Sequence, residues 1–341
     1  YDYSAYVYGY DVDELNVEEV LPRYTDSNGG EDLLVDCTDI LYLPRERDLN
    51  YLITLAIPTA DPEADFEAEV MMGYSENIYA STDNLYVAST NYDYGDFYYD
   101  PVNVKTLVHR FDLDTDGINF EASGKVPGTI LNQFSMDEHE DHFRIATTIN
   151  NWVDPETNNL YVLDMDLDQT GAVEGIAPNE SIYSTRFMGD RGFMVTFEKI
   201  DPLFAFDLSD PNNPVLVGEL KIPGYSDYLH PYDENHLIGF GKETEDPPAE
   251  QAALWGQNFS WYQGMKIAIF DVTNLTSPEE VFSVGIGDRG TESPLLYDHH
   301  ALLFDAARDL LAFPVTVATV ADENAPPETY GETTFQGAYV Y

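Results

Sequence analysis

The chain has 341 residues, 43% of them hydrophobic, which is enough to bury a large core. Its 15 Lys and Arg stand against 63 Asp and Glu, a formal charge of −48 at pH 7, and such a surface argues against nucleic acid or an anionic membrane as partner. No apolar run reaches membrane-spanning length, so no direct membrane insertion of this segment is expected, and Cys37, the only cysteine, can form no disulfide within the chain.

The acids are spread along the chain instead of forming a tail, which describes a folded protein with an acidic skin. Self-repulsion on this scale weakens the compact state in dilute buffer. At molar salt the screening length falls to roughly 3 Å and most of that cost disappears. Halophilic adaptation is the expectation, with an ordinary acidic protein as the alternative.

Taken in order, the chain opens on Tyr1–Tyr10, an aromatic strand with tyrosines on both faces, and a linker running through Pro22 and Ser27-Asn28-Gly29-Gly30. Leu33–Leu43, Tyr51–Ile57 and Phe66–Met72 read as strands. From Asn77 the pattern becomes regular: short apolar runs bounded by turn residues, four at a time. The first set is Asn77–Ala80, Leu85–Thr90, Leu107–Leu113 and Asn119–Val126. The second is Leu131–Ser135, Phe143–Thr148, Leu160–Leu167 and Ala172–Ala177. The third is Thr185–Met188, Phe193–Phe197, Leu203–Asp207 and Val215–Ile222. The fourth is Tyr228–Tyr232, Leu237–Lys242, Lys266–Val272 and Val281–Ile286, interrupted by an insertion whose one helix candidate is Ala249–Leu254. The last set, Leu295–Phe304, Leu310–Val317 and Gln336–Tyr341, has no fourth strand. Four strands and then a restart is the grammar of a β-propeller blade. The expected fold is therefore all-β: one propeller over residues 1–341, of about six to eight four-stranded antiparallel blades. Residues 1–76 would form an irregular first blade and linker, 77–290 the regular blades and 291–341 an incomplete last blade.

Acidic turns recur between strands. After third strands come Asp112-Leu-Asp-Thr-Asp-Gly117, Asp164-Met-Asp-Leu-Asp168, Asp207-Leu-Ser-Asp210 and Asp271-Val-Thr-Asn274. Between first and second strands come Asp83-Asn84, Asp137–Asp141, Gly189-Asp190, Asp233–Asn235 and Asp305–Asp309. Asp and Asn suit both places because they cap turn amides and tolerate left-handed backbone.

Several stretches resemble a known family. Arg186-Phe-Met-Gly-Asp-Arg191, Asp207-Leu-Ser-Asp-Pro211, Gly218-Glu-Leu-Lys-Ile-Pro-Gly224, Tyr228-Leu-His-Pro-Tyr-Asp-Glu-Asn-His236 and Asp298-His-His-Ala-Leu-Leu-Phe304 with Leu311-Ala-Phe-Pro314 look like the secreted C-terminal β-propeller domain family, distantly related to WD40 propellers. The match is close from about Asn77 to Tyr341 and looser before it. The resemblance implies an exported or surface-anchored archaeal or bacterial propeller and assigns no biochemical activity. Members begin before this Tyr1 and continue past this Tyr341, so the chain is expected to be a portion of a longer protein or to be completed elsewhere.

Candidate sites follow from residue types. Asp112, Asp114 and Asp116, with Glu121 beyond Gly117, present alternate oxygen ligands of the kind a calcium loop uses. Asp164, Asp166 and Asp168 repeat the spacing. The competing reading of both is solvated turn acids. Asp298, His299 and His300, expected on a first strand, and His230, one blade earlier, would face the channel and could hold a transition metal, or be ordinary hydrogen-bonding side chains. His139 and His142 read as surface, and Cys37 as buried packing. Trp255, Phe259, Trp261 and Tyr262 form an aromatic cluster that could stack on a glycan, seal a protein contact or pack as a lid on its own blade. Asn179, Asn258 and Asn274 open Asn-x-Ser/Thr sequons. No Gly-x-Ser-x-Gly, P-loop or dinucleotide fingerprint occurs. The favoured function is an extracellular or cell-surface structural or binding module, with self-assembly through terminal strands as one form of it. A secreted hydrolase with its site at the channel mouth is the alternative.

The charge makes a direct prediction. The melting temperature should rise steadily from about 0.1 M to molar sodium chloride, as screening shortens from roughly 10 to 3 Å. A flat series would show that the acidic surface carries no such cost.

Overall fold

The computed structural model describes residues 20–25, 29–42, 50–59, 64–93, 103–114, 117–150, 155–197, 201–248, 251, 260–322 and 324–341. Within each sheet the strands pair antiparallel and in the order in which they follow one another in sequence. Two small hairpins come first, β1 (Arg23–Thr25) with β2 (Glu31–Leu33) and β3 (Tyr51–Ala56) with β4 (Glu67–Met72). Four sheets of four strands follow. They are β5 (Asn77–Ala80), β6 (Asn84–Asp93), β7 (Asn103–Asp114) and β8 (Gly117–Pro127); β9 (Met136–His139), β10 (His142–Ile149), β11 (Thr157–Leu163) and β12 (Gln169–Ile176); β13 (Ser181–Met188), β14 (Arg191–Phe197), β15 (Asp201–Asp207) and β16 (Val215–Ile222); and β17 (Tyr225–Pro231), β18 (His236–Glu245), β19 (Trp261–Asp271) and β20 (Glu279–Ile286). A three-stranded sheet closes the series, β21 (Leu303–Asp305), β22 (Leu310–Thr319) and β23 (Glu332–Val340). Two compact units divide the chain, residues 1–89 with 108–123, and residues 90–107 with 124–341.

In the β13–β16 and β17–β20 sheets the second and third strands are apolar on both faces because each of these sheets is covered by another on either side. Ile182, Phe187, Met194, Phe204 and Phe206 of the β13–β16 sheet pack on Ala146, Leu160 and Val162 of the sheet before it. The opposite face of the same sheet, Phe193, Val195, Leu203 and Ala205, packs on Leu229, Leu237, Ala268 and Phe270 of the sheet after it. One residue of register separates Phe193 from Met194, and it sends them into two different cores. The smaller unit has its own cluster around Met71, Val87, Phe111 and Ile118.

The acidic turns are built as their residue types require. Asp207 Oδ1 accepts the amide of Ser209 at 3.0 Å, Asp271 Oδ1 that of Thr273 at 2.9 Å, and Asp164 Oδ1 those of Asp166 and Asp168 at 3.0 and 2.9 Å. Each such turn seats against a glycine in the fourth strand of the preceding sheet. A Cβ on Gly124 would lie 2.6 Å from Leu167 Cβ, one on Gly171 2.5 Å from the Pro211 carbonyl oxygen, and one on Gly218 would run into the Leu275 carbonyl. The three glycines, at 124, 171 and 218, are 47 residues apart.

Several expectations need correction. Of the strand expected over Leu33–Leu43, only Leu33 is in a strand, as the end of β2, and Leu43 lies outside the described residues. The polar Asp36-Cys-Thr-Asp39 stretch lacks alternation and folds into a 3-10 turn at Cys37–Asp39, leaving only a bridge from Leu41 to Met71. Cys37 is exposed there instead of buried in packing. Leu131–Ser135 is not the first strand of its sheet. Asn132 caps the Phe134 amide at 2.9 Å and opens a 3-10 turn, Gln133–Ser135, so that the strand begins at Met136. Asp137 thus lies on β9, and the turn is only Glu140-Asp141, both left-handed at φ 48° and 56°, as a two-residue hairpin turn with two positive φ values demands. Leu295–Phe304 is two 3-10 turns, Pro294–Leu296 and His299–Ala301, with strand only from Leu303. Asp112 and Asp114 stand on β7, not in a loop. The helix expected over Ala249–Leu254 and the strand over Tyr1–Tyr10 lie outside the described residues, Gln251 excepted.

Gly218→Ala should cost about 1–3 kcal/mol, the usual range for overpacking, because the obstacle is backbone and cannot swing away. Urea unfolding measures it, and an unchanged midpoint would mean the seam is looser than its geometry.

Candidate functional site

On the first-strand side of four consecutive sheets, polar residues from separate elements meet. The 3-10 turn before β9 brings Gln133 and Phe134, β13 brings Arg186, β17 brings Tyr228 and His230, and the turn before β21 brings His299. Arg186 holds the group together. Its Nε donates to the Leu229 carbonyl at 2.9 Å and its Nη2 to the Tyr228 hydroxyl at 3.1 Å. Its Cζ lies 4.3 Å from the centre of the Phe134 ring and 5.4 Å from that of Tyr228, so the cation is faced by π-systems. The Tyr228 oxygen continues to His230 Nδ1 at 3.0 Å. His299 meets the Phe134 ring edge to face at 4.8 Å and hydrogen-bonds the Gln133 amide nitrogen at 3.4 Å, while His230 meets Phe304 at 4.8 Å.

The electrostatics follow from burial and from that one charge. Burial lowers the Arg186 pKa, partly offset by the hydrogen bond to Tyr228. Burial, then the repulsion of Arg186 and His299, lowers His230 to about 4, so it is a neutral imidazole at pH 7. His299 is lowered as well, by burial and then by His300, with Arg186 also contributing. The nearby Asp137 is bound by Arg144 through Nε at 2.9 Å and through Nη2. Burial nevertheless raises the Asp137 pKa.

A second buried acid lies at the other end of β17. Asp227 is the extra residue of a bulge between Ser226 and Tyr228. Burial raises its pKa to about 7, Lys242 opposing and Glu292 reinforcing the shift. Lys242 is itself taken by Glu292 and by the Thr291 carbonyl at 3.1 Å.

The residues singled out from sequence fall as follows. His230 and His299 belong to the cluster. His299 and His300, however, lie on a 3-10 turn and not on a strand, because Asp298 Oδ1 caps the His300 amide at 3.0 Å and also meets its Nδ1 at 2.8 Å. The turn brings the two imidazoles together, 3.9 Å apart and tilted by 38°, where a strand would have separated them. Asp298, His299 and His300 offer metal-ligand atoms within 4.8 Å of one another, as do His139, Glu140 and Asp190, and Asp298 and His300 are exposed. Glu121 sits 3.8 Å from Arg110 Nη2, and Asp116 lies outside the described residues. Asp164 spends its carboxylate on two turn amides, with Asp166 and Asp168 exposed beside it. Trp255, Phe259 and Asn258 lie outside the described residues. Trp261 is faced by the Arg289 guanidinium at 4.8 Å and donates to Gln251 at 3.1 Å, while Tyr262 packs with Tyr225 and Phe197 at 5.2 and 5.8 Å. Asn179, at φ 71°, and Asn274 are exposed on turns. Sequence reasoning missed Arg186, Tyr228, Phe134 and Gln133 as site residues. The one signal available was an Arg on an apolar first strand in a chain with 15 basic residues.

Packed four-stranded antiparallel sheets in sequential order, with polar groups collected on the first strands, define a β-propeller protein. The chain belongs to the family described as Beta propeller domain, matched over residues 3–341. It is 40% identical over 210 residues to an uncharacterized protein of Archaeoglobus fulgidus, covering 62% of this chain and 30% of that one. It is 41% identical over 211 residues to the uncharacterized protein MJ1554 of Methanocaldococcus jannaschii, covering 61% of this chain and 30% of that one. The matched region thus spans about 30% of the length of these relatives. Two solved structures, a subtype N10 neuraminidase-like protein of A/little yellow-shouldered bat/Guatemala/060/2010 and a neuraminidase-like protein from A/bat/Guatemala/164/2009, align over 74% and 88% of this chain and 79% and 87% of theirs, at 11% and 9% identity and a TM-score of 0.35 each, too low to bear on function.

Asp227 gives a pH prediction. Its folded pKa, about 7, lies above the ordinary 3.8, so the native state keeps a proton that the unfolded chain releases, and its contribution to stability is lost as pH rises from about 4 to 7. Asp227→Asn should therefore raise the urea midpoint at pH 8, with the gain shrinking toward pH 4. A gain independent of pH would show that the carboxyl is not held protonated.

Proposed function

We propose that this chain is a binding propeller of an exported or cell-surface protein, without an enzymatic role of its own, and that its ligand surface is the first-strand cluster around Arg186. The observation that carries this reading is the way the cluster is tied. Arg186 is fixed by a carbonyl and a phenol, the phenol by an imidazole, and that His230 imidazole is kept neutral beside a permanent cation. That arrangement suits recognition. A general acid or base works best with a pKa near the working pH, whereas His230 is pushed to about 4. A hydrolase also needs a positioned nucleophile or a paired acid, and the groups joined here are a guanidinium, a phenol, two imidazoles and an amide. Location at the surface rests on the resemblance to exported propellers and on the acidic exterior.

The test is turnover. Purified protein in molar salt, offered chromogenic esters, glycosides, phosphates and peptides, should give no rate above background that His230→Ala removes. A rate abolished by that substitution would establish the hydrolase alternative.

A further inference from the structure

Buried cations in this protein come with carboxylates. Arg144 has Asp137, Lys242 has Glu292, Lys266 has Glu280 at 2.7 Å and Arg110 has Glu121 at 3.8 Å. Arg186 departs from that rule. Among the described residues no carboxylate lies within 4 Å of it, and its partners are a carbonyl, a hydroxyl and two rings. The acid whose charge reaches it, Asp137, is engaged by Arg144. Arg289 has a similar set of partners, a carbonyl, a phenol and two rings, but both of its Nη groups are hydrogen-bonded, whereas Arg186 hydrogen-bonds through Nε and Nη2.

The fork of Arg186 shows what kind of ligand it suits. A guanidinium has five N–H donors in a fixed plane. Nε and one hydrogen of Nη2 are used, which occupies the side edge. The hydrogens remaining on Nη1 and Nη2 point off the end of the plane in parallel, the geometry that accepts two oxygens of one carboxylate. Nη1 has no partner among the described residues and is not sealed from solvent. The Phe134 and Tyr228 rings lie 4.3 and 5.4 Å from the Arg186 Cζ, and the imidazoles of His230 and His299 contact those same residues. A cation with no carboxylate in contact, in a molecule of net charge −48, favours a monoanion, since repulsion from the rest of the surface grows with ligand charge.

We infer that the end of the Arg186 fork binds the carboxylate of a small monocarboxylic acid, with the Phe134 and Tyr228 rings as the apolar walls of the site. The inference rests on the proposed function in placing the ligand at this cluster. It stands or falls separately, because carboxylate binding is indifferent to where the protein is located and to whether anything is turned over.

Sodium acetate and sodium benzoate, titrated into the full chain at constant sodium and ionic strength with phosphate as the comparison anion, provide the test. Calorimetry reads affinity, and the imidazole proton resonances of His230 and His299 read location. Saturable binding is expected in about the millimolar range, with benzoate tighter than acetate and both tighter than phosphate. His230 and His299 should shift while the surface His142 and His236 stay. Arg186→Lys should weaken binding about tenfold or more, because a point charge cannot offer the fork, and Arg186→Met should abolish it. Where either variant fails to fold, the histidine shifts of the unmodified protein still decide. Absence of saturation, equal shifts of all four histidines, preference for phosphate, or undiminished affinity in a folded Arg186→Met protein would each overturn the assignment.

Discussion

Everything in the larger unit depends on the face-to-face packing of consecutive sheets. An isolated four-stranded sheet of this sequence would expose Phe193, Val195 and Ala205 on one side and Met194, Phe204 and Phe206 on the other, and only neighbours on both sides remove all six from water. The seams are set at two depths. Branched and aromatic side chains fill the middle, and at the fourth strands a capped acidic turn lies directly on a glycine of the sheet before it. The turn therefore does more than reverse the chain. Its carboxylate orders its own amides, and the ordered loop then becomes a packing surface.

The same stacking explains how a polar site arises from an apolar scaffold. First strands have a partner on only one side within their own sheet, so their side chains meet those of neighbouring sheets across short distances. Arg186, Tyr228 and Phe134 come from three successive sheets and the turns attached to them, and none contacts the others through local sequence. Burial there makes charge costly, which is why His230 is held neutral and why one persistent cation dominates the local field.

How much of this was legible depended on which physics fixed each element. Second and third strands were legible because burial on both faces leaves an apolar run between turns, as in Phe193–Phe197, whereas the largely exposed fourth strands, such as Val215–Ile222, were marked off by the turns around them. The first strand of one sheet was expected too early, at Leu131–Ser135, and that of another too long, at Leu295–Phe304, because Asn132, Ser293 and Asp298 divert the chain into 3-10 turns through single side-chain caps. Apolar pattern alone does not register a cap of that kind. His230 and His299 were recognised by residue type. Arg186 was not, since its significance lies in lacking an acid, and whether a basic side chain has a counter-ion is decided by neighbours remote in sequence. The seam glycines carry a signal that was there to be counted, a spacing of 47 residues.

That spacing also governs how the protein can change. Each seam joins only adjacent sheets, so stability is a sum over nearest neighbours, as in other repeat architectures. Inserting or deleting a whole 47-residue unit between Gly124 and Gly218 would leave every remaining turn facing a glycine. Gain or loss of one residue inside a fourth strand would instead turn a side chain toward the next loop and reverse the faces of that strand. Such a chain can lengthen or shorten by duplication while resisting drift, and its evolutionary step size is the blade.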